Sequence, residues 1–216
     1  MRTDWVPMSA SALVIGAMSL VFGSVLNPAD AGASSAETLN VVTEASARWL
    51  GMAVMYTFAS LALNLGLPAV LTLFPRRGSG VGLVGAVVFS VGAVGTCGYA
   101  MLMVFFRAIV VAEAFSDREL EKVTADRGLT VFLTAWVGCF YGGVLLIAIA
   151  LLMAGTTPRW VPLLLVVFVA MLPFASHLGR VGSALQVMAF AAACTGIAVS
   201  AVSSSSRRTA SRQPTY

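Results

Sequence analysis

Tyr56, Thr57, Asn64, Thr96, Tyr99, Thr134 and Tyr141 are polar side chains set deep inside apolar stretches. Hydroxyls and a carboxamide give and take hydrogen bonds without carrying charge, so the chemistry open to them is recognition of a neutral or weakly polar solute. By their depth along the chain, Tyr56, Asn64, Thr96, Tyr99, Thr134 and Tyr141 form a candidate polar cleft, and Arg107, Glu113, His177 and Gln186 its candidate outer rim. The plainer role of such hydroxyls is a bond to their own helix or a neighbouring one. Asn64 is followed four residues later by Pro68, whose missing N–H leaves the Asn64 carbonyl without its helical donor. The expected outcome is a kink repaired by Asn64 or by a neighbouring helix. The alternative is a broken helix lining a solute site, as in transporters.

Redox, metal and hydrolytic chemistry have little to work with. His177 is the single histidine, which excludes a bis-histidine haem within one chain, and a zinc site needs three or four ligands together. Cys97, Cys139 and Cys194 form no C-x-x-C pair and read as small buried hydrophobes. No G-x-S-x-G, Walker A or H-E-x-x-H motif occurs. No charged residue lies mid-stretch, where proton pumps and voltage sensors carry theirs. The expectation is a protein that is not an enzyme and uses no catalytic residue, cofactor or metal.

The elements that must hold the polar residues follow from composition. Of 216 residues 59% are hydrophobic and 10% charged, with a mean hydropathy of +0.92. Soluble domains carry about 25% charged residues, and a soluble fold of this composition would expose large apolar patches. A spanning helix needs about 20 apolar residues, and six stretches qualify: 5–26, 49–74, 81–106, 129–154, 160–176 and 181–202. Continuous apolar runs exclude a barrel, whose strands alternate over about 10 residues. The fold class is therefore an all-α, polytopic transmembrane helical bundle of about six spans over residues 1–202. The fifth stretch is the shortest and carries Pro162 and Pro173.

Capping-box spacing at Ser34/Glu37 and Ser116/Glu119 predicts short outer helices near 35–47 and 117–126, the second with Lys122 and Asp126 four apart and able to pair. Residues 203–216, rich in Ser and Arg, are expected to form a disordered basic cytoplasmic tail. Arg2, the first apolar run and the small-residue sites Ala29-Asp30-Ala31 and Ala31-Gly32-Ala33 resemble a signal peptide. The run exceeds the usual core of about 7 to 15 residues, so it is read as a span. Arg76, Arg77, Arg159 and the Arg207–Arg208 end share one side, which by the positive-inside rule places both termini in the cytoplasm of a cell-membrane protein. Trp5, Trp49 and Trp160 lie at span edges as interfacial anchors.

The net charge of +4 is scattered and interleaved with no aromatic pattern, so nucleic acid is no partner. The partners expected are the lipid bilayer and a membrane-protein partner or a second copy. Small residues recur at four-residue spacing at Ala12/Gly16, Gly78/Gly82, Gly92/Thr96/Ala100 and Ala192/Gly196/Ser200, where helix backbones can approach. The third span, richest in glycine, is expected at the bundle centre.

Six spans, an acidic first outer loop and Thr157-Pro158-Arg159-Trp160 opening the fifth span give a layout that resembles uncharacterised six-helix integral membrane proteins of actinobacterial type. The resemblance implies the six-span fold and carries no activity or site residues. Function is expected to be that of a non-catalytic subunit, sensor or scaffold with a dry interior, packing against a partner. The alternative is a small transporter or permease-like protein for a neutral solute, with a wet cavity reaching Asn64.

Overall fold

Long apolar sequence in lipid must satisfy its backbone internally, and helix is the local way to do so. The computed structural model describes residues 5–28, 35–74, 77–112, 122–123, 126–175 and 179–210, and the regular elements among them are helices. They are α1 (Trp5–Leu26), α2 (Ser35–Glu44), α3 (Ser46–Leu71), α4 (Ser79–Val111), α5 (Arg127–Ala154), α6 (Trp160–Ala170), α7 (Leu172–Ala175) and α8 (Gly179–Ala210). Five of these, α1, α3, α4, α5 and α8, are long and apolar enough to cross a membrane. The chain is an all-α multi-pass membrane protein.

The expected fifth span is not one full-length helix. Residues 160–175 divide into the 11-residue α6, a turn at Met171 and the 4-residue α7. Pro173 has no N–H to continue the ladder, and Phe174 donates to Met171 in a tight turn instead. At about 1.5 Å per residue the segment reaches about 24 Å, short of a hydrocarbon core of about 30 Å.

The helices form a closed ring in which α1 packs on α3, α3 on α4, α4 on α5, α5 on α6, α6 on α8 and α8 back on α1. Neighbours run antiparallel, as the contact pairs show: Gly16 meets Leu63 while Gly66 meets Leu13, and Gly92 meets Phe140 while Gly143 meets Phe89. The second register sets Cys139 level with Ala93, one turn from Cys97. A ring has no central helix, so α4 is not the hub that its glycine content suggested. Gly85, Gly92, Gly95 and Gly98 all turn to one neighbour, α5, at Leu146, Phe140, Trp136 and Phe132. Glycine here permits close approach on a single face.

The lower half of the ring, where α1 begins, is packed by residues such as Leu13, Leu63, Leu67, Phe89, Ile147, Leu165, Phe190 and Ile197, around a small cavity of about 20 Å³. A smaller cluster of Val42, Trp49, Met52, Ala53, Ala100 and Met103 joins α2, α3 and α4 at the upper end. Trp49 is thus buried rather than an interfacial anchor, and its Nε1 donates to the Met103 carbonyl at 2.9 Å. Trp5 and Trp160 remain about half exposed. Replacing Trp49 with phenylalanine keeps most of the apolar contact and loses that bond, so a loss of about 1 kcal/mol is expected in a reversible unfolding titration. No change would show that ring packing alone holds the α3–α4 seam.

Two expectations about the ends are corrected. Ser203 to Ala210 continue α8 as helix, with the hydroxyls of Ser203, Ser204 and Ser206 folded back onto the carbonyls of Val199, Ala201 and Val202. Residues 211–216 lie outside the described part. The first outer helix ends at Glu44, where Ala45 (φ −111°, ψ 34°) breaks it from α3. Most of 117–126 lies outside the described residues, as do Ser34, Ser116 and Glu119. Asp126 serves as the N-cap of α5, accepting from the Leu129 N–H at 2.9 Å.

Candidate functional site

Halfway up the ring Phe89, Phe140, Phe168 and Phe190 meet with ring centroids 4.9–6.4 Å apart. Above this aromatic layer the interior is open, with a cavity of about 480 Å³. Every helix of the ring contributes to it: Leu20 and Ser24 from α1, Tyr56 from α3, Thr96 and Tyr99 from α4, Trp136 and Tyr141 from α5, Phe168 from α6, and Ser183 and Gln186 from α8.

One wall is built on a stacked pair, Tyr99 and Trp136, with centroids 4.6 Å apart and planes 20° from parallel. Trp136 Nε1 donates to Thr96 Oγ1 at 3.1 Å, and Thr96 in turn donates to the Gly92 carbonyl at 3.2 Å. Gly92 and Gly95 make this possible, since a Cβ at either would strike Phe140 or Trp136. Tyr56 stands beside Tyr99 at 6.3 Å. The facing wall stacks Tyr141 on Phe168 at 4.8 Å and 8°.

Gln186 ties that wall together. Its amide N–H2 donates to the Phe168 carbonyl at 2.9 Å and to the Tyr141 hydroxyl oxygen at 3.3 Å. Phe168 is among the last four residues of α6, whose carbonyls lose their helical donors. A carbonyl only accepts, so the amide must present nitrogen to it, leaving Gln186 Oε1 as a spare acceptor. Tyr141 accepts from Gln186 and keeps its own O–H to give. Among the described residues the hydroxyls of Tyr56 and Tyr99 bond to no protein atom.

Tyr56, Thr96, Tyr99 and Tyr141 therefore line one cavity. Gln186, expected at the rim, lies inside it and is 4% exposed. Thr134 is not in the cleft: the residue beside it, Leu133, faces the cavity, and a helix step of about 100° turns Thr134 to the exposed outer face. Thr57 bonds its own helix at the Ala53 carbonyl. Asn64 lies level with the aromatic layer but outside it, in the α3–α4 seam, donating to the Ser60 carbonyl and accepting from Ser90. Arg107 is half-buried at the top of that seam, donating to Ser46, and does not line the cavity. Glu113 and His177 lie outside the described residues.

Pro68 has a structural explanation. The Ala69 N–H, which an undisturbed helix would give to Leu65, donates instead to Ser9 Oγ at 3.0 Å, and Ser9 donates onward to the Leu65 carbonyl at 2.7 Å. A hydroxyl from α1 is thus inserted into the broken turn of α3. The repair comes from a neighbouring helix, and neither Asn64 nor Pro68 lines the cavity.

Trp136, Ser24, Asn27 and Ser183 also line the site and were not anticipated. Trp136 had a legible signal: it is the one tryptophan away from a span edge, where an indole N–H needs a protein partner. Comparison with protein-family models, curated proteins and solved structures yields no match, so the chain is placed in no family.

Proposed function

We propose that this protein is a non-catalytic membrane protein that binds an uncharged small molecule in the upper half of its helix ring, as a sensing or binding subunit. The observation that carries this reading is the 480 Å³ cavity with unpaired tyrosine hydroxyls above an aromatic floor. That volume falls within the range of about 300–1,000 Å³ typical of ligand sites. Among the described residues no Asp, Glu, Lys, Arg or His lines it, and an ion desolvated beside them would meet no counter-charge from them. The closed floor fits a binding pocket better than a path through the membrane. With both termini in the cytoplasm, the pocket would lie on the outer side.

A scaffold role has its own support. Most of the glycines that could meet a partner already pack inside the ring, but Gly138 and Gly142 of α5 have open space at Cβ. They share a face with exposed Thr134 at four-residue spacing, the pattern by which membrane helices associate.

Native mass spectrometry of gently extracted protein separates these readings. Wild type is expected to retain a small-molecule mass that is depleted in Val187→Trp, whose indole intrudes on the cavity, with the two melting alike. A wild-type chain that stays bare would sink the pocket reading, and a retained second polypeptide would support the scaffold.

A further inference from the structure

Most polar side chains of the cavity are ambivalent, because a hydroxyl gives and takes hydrogen bonds alike. Gln186 Oε1 is not. Its orientation is fixed by the Phe168 carbonyl, which can only accept and so must face the amide nitrogen; Nε2 donates to it at 2.9 Å. The other N–H of Nε2 goes to the Tyr141 hydroxyl oxygen at 3.3 Å. Both amide donors are spent, and among the described residues no donor meets Oε1.

Gln186 is 4% exposed, so its amide is withdrawn from bulk water. Oε1 is not sealed into the packing either: among the described residues the one buried side-chain polar atom without a partner is Thr157 Oγ1. The open space that Oε1 meets is the cavity that Gln186 lines. The amide is level with Phe168 of the aromatic floor. Above it the lining turns apolar, with Val137 and Leu133 one and two turns above Tyr141 on α5 and Leu172 one turn beyond Phe168. A molecule filling the cavity therefore meets an acceptor at its inner end and apolar walls along its length. If it offers that acceptor nothing, a buried carbonyl oxygen is left stripped, which weakens binding about tenfold. An N–H or O–H placed there removes the penalty, and a site so built rejects the analogue that lacks the donor.

We propose that Gln186 sets the specificity of the pocket, and that its ligand is an uncharged, mainly apolar molecule that brings an N–H or O–H donor to the floor. This rests on the small-molecule reading above and adds the ligand class and the residue that selects it. Aromatic alcohols and N–H heterocycles belong to the class; their ethers and N-methyl derivatives do not. The tyrosine hydroxyls, free to turn either way, adapt to the rest of the ligand and do not discriminate.

Three matched probes test it: 2-naphthol, 2-methoxynaphthalene, in which a methyl group replaces the donor hydrogen, and naphthalene. Each is measured by equilibrium dialysis against the full chain in nanodiscs, with empty nanodiscs of the same lipid to subtract partition. 2-Naphthol should bind saturably, about tenfold tighter than either of the others. Gln186→Met keeps the length of the side chain and loses the acceptor, and in it the preference should vanish. The ratio is the readout, because a merely structural role would lower all three alike. In Tyr56→Phe with Tyr99→Phe the preference should persist. Equal binding of 2-naphthol and 2-methoxynaphthalene by wild type would overturn the inference. So would a preference that survives Gln186→Met or disappears from the tyrosine variant. Should Gln186→Met bind no probe or fail to melt cooperatively, the tyrosine variant decides alone. If 2-naphthol shows no saturable binding the inference falls, while a small molecule retained in the native mass spectrum would leave the pocket reading standing.

Discussion

Gly92→Leu is expected to prevent stable assembly of the bundle, and Gly92→Ala to cost about 2 kcal/mol. A Cβ at Gly92 would sit 2.3 Å from the Phe140 nitrogen and 2.4 Å from its Cα, and a Cβ at Gly143 would sit 2.4 Å from the Phe89 nitrogen. These are backbone atoms of the facing helix, so no rotamer change relieves the clash and α4 must separate from α5. Separation would also unseat the Phe89–Phe140 contact at the cavity floor and the Trp136–Thr96 bond one turn above. Helices in lipid have little hydrophobic drive to re-form a loosened contact, since their association depends on this packing. Gly138→Ala is the control, because nothing lies within 4 Å of its Cβ position. Denaturant titration in mixed micelles reads the difference. Equal stability of the Gly92→Ala and Gly138→Ala proteins would contradict the close approach of α4 and α5.

Ser9→Ala is expected to cost about 2 kcal/mol, unusually much for removing one hydroxyl. Two backbone groups depend on that oxygen: the Ala69 N–H gives to it and the Leu65 carbonyl receives from it. Without it, both face an apolar interior with no water to turn to. The cause is Pro68, which displaces the α3 backbone at that turn, so the dependence should vanish with the proline. In Pro68→Ala the regular ladder can close, and adding Ser9→Ala should then cost little. The double-mutant cycle is expected to show about 1 kcal/mol or more of coupling. Additive losses would mean that Ser9 contributes through α1–α3 packing and not by bridging the broken turn. Its 7% exposure makes packing the natural competitor.

Both predictions concern contacts between helices, and this is where the sequence stopped being legible. Hydropathy alone marked the apolar helices, because burial in lipid is a property of each segment taken singly. It also marked where the short one would fall, since Pro173 acts on its own turn. It gave the depth of Tyr56, Thr96, Tyr99 and Tyr141, and depth was enough to put them in the upper half. It misjudged Thr134 and Gln186, because which way a residue faces depends on the rotation of its helix, and rotation is fixed by the neighbour. It misread the glycines of α4 as a hub, because four-residue spacing says that a face is narrow without saying what lies against it. The insertion of Ser9 opposite Pro68 joins residues sixty positions apart, and no local pattern announces such a meeting. The sequence by itself determined that the chain crosses a membrane as apolar helices, with no charge in their middles. The tertiary structure alone decided that these helices close into a ring, that the ring is packed below and open above, and that unspent hydroxyls face the opening. The physical reason is that lipid exposure selects each helix independently, whereas a cavity exists only through the joint placement of all of them.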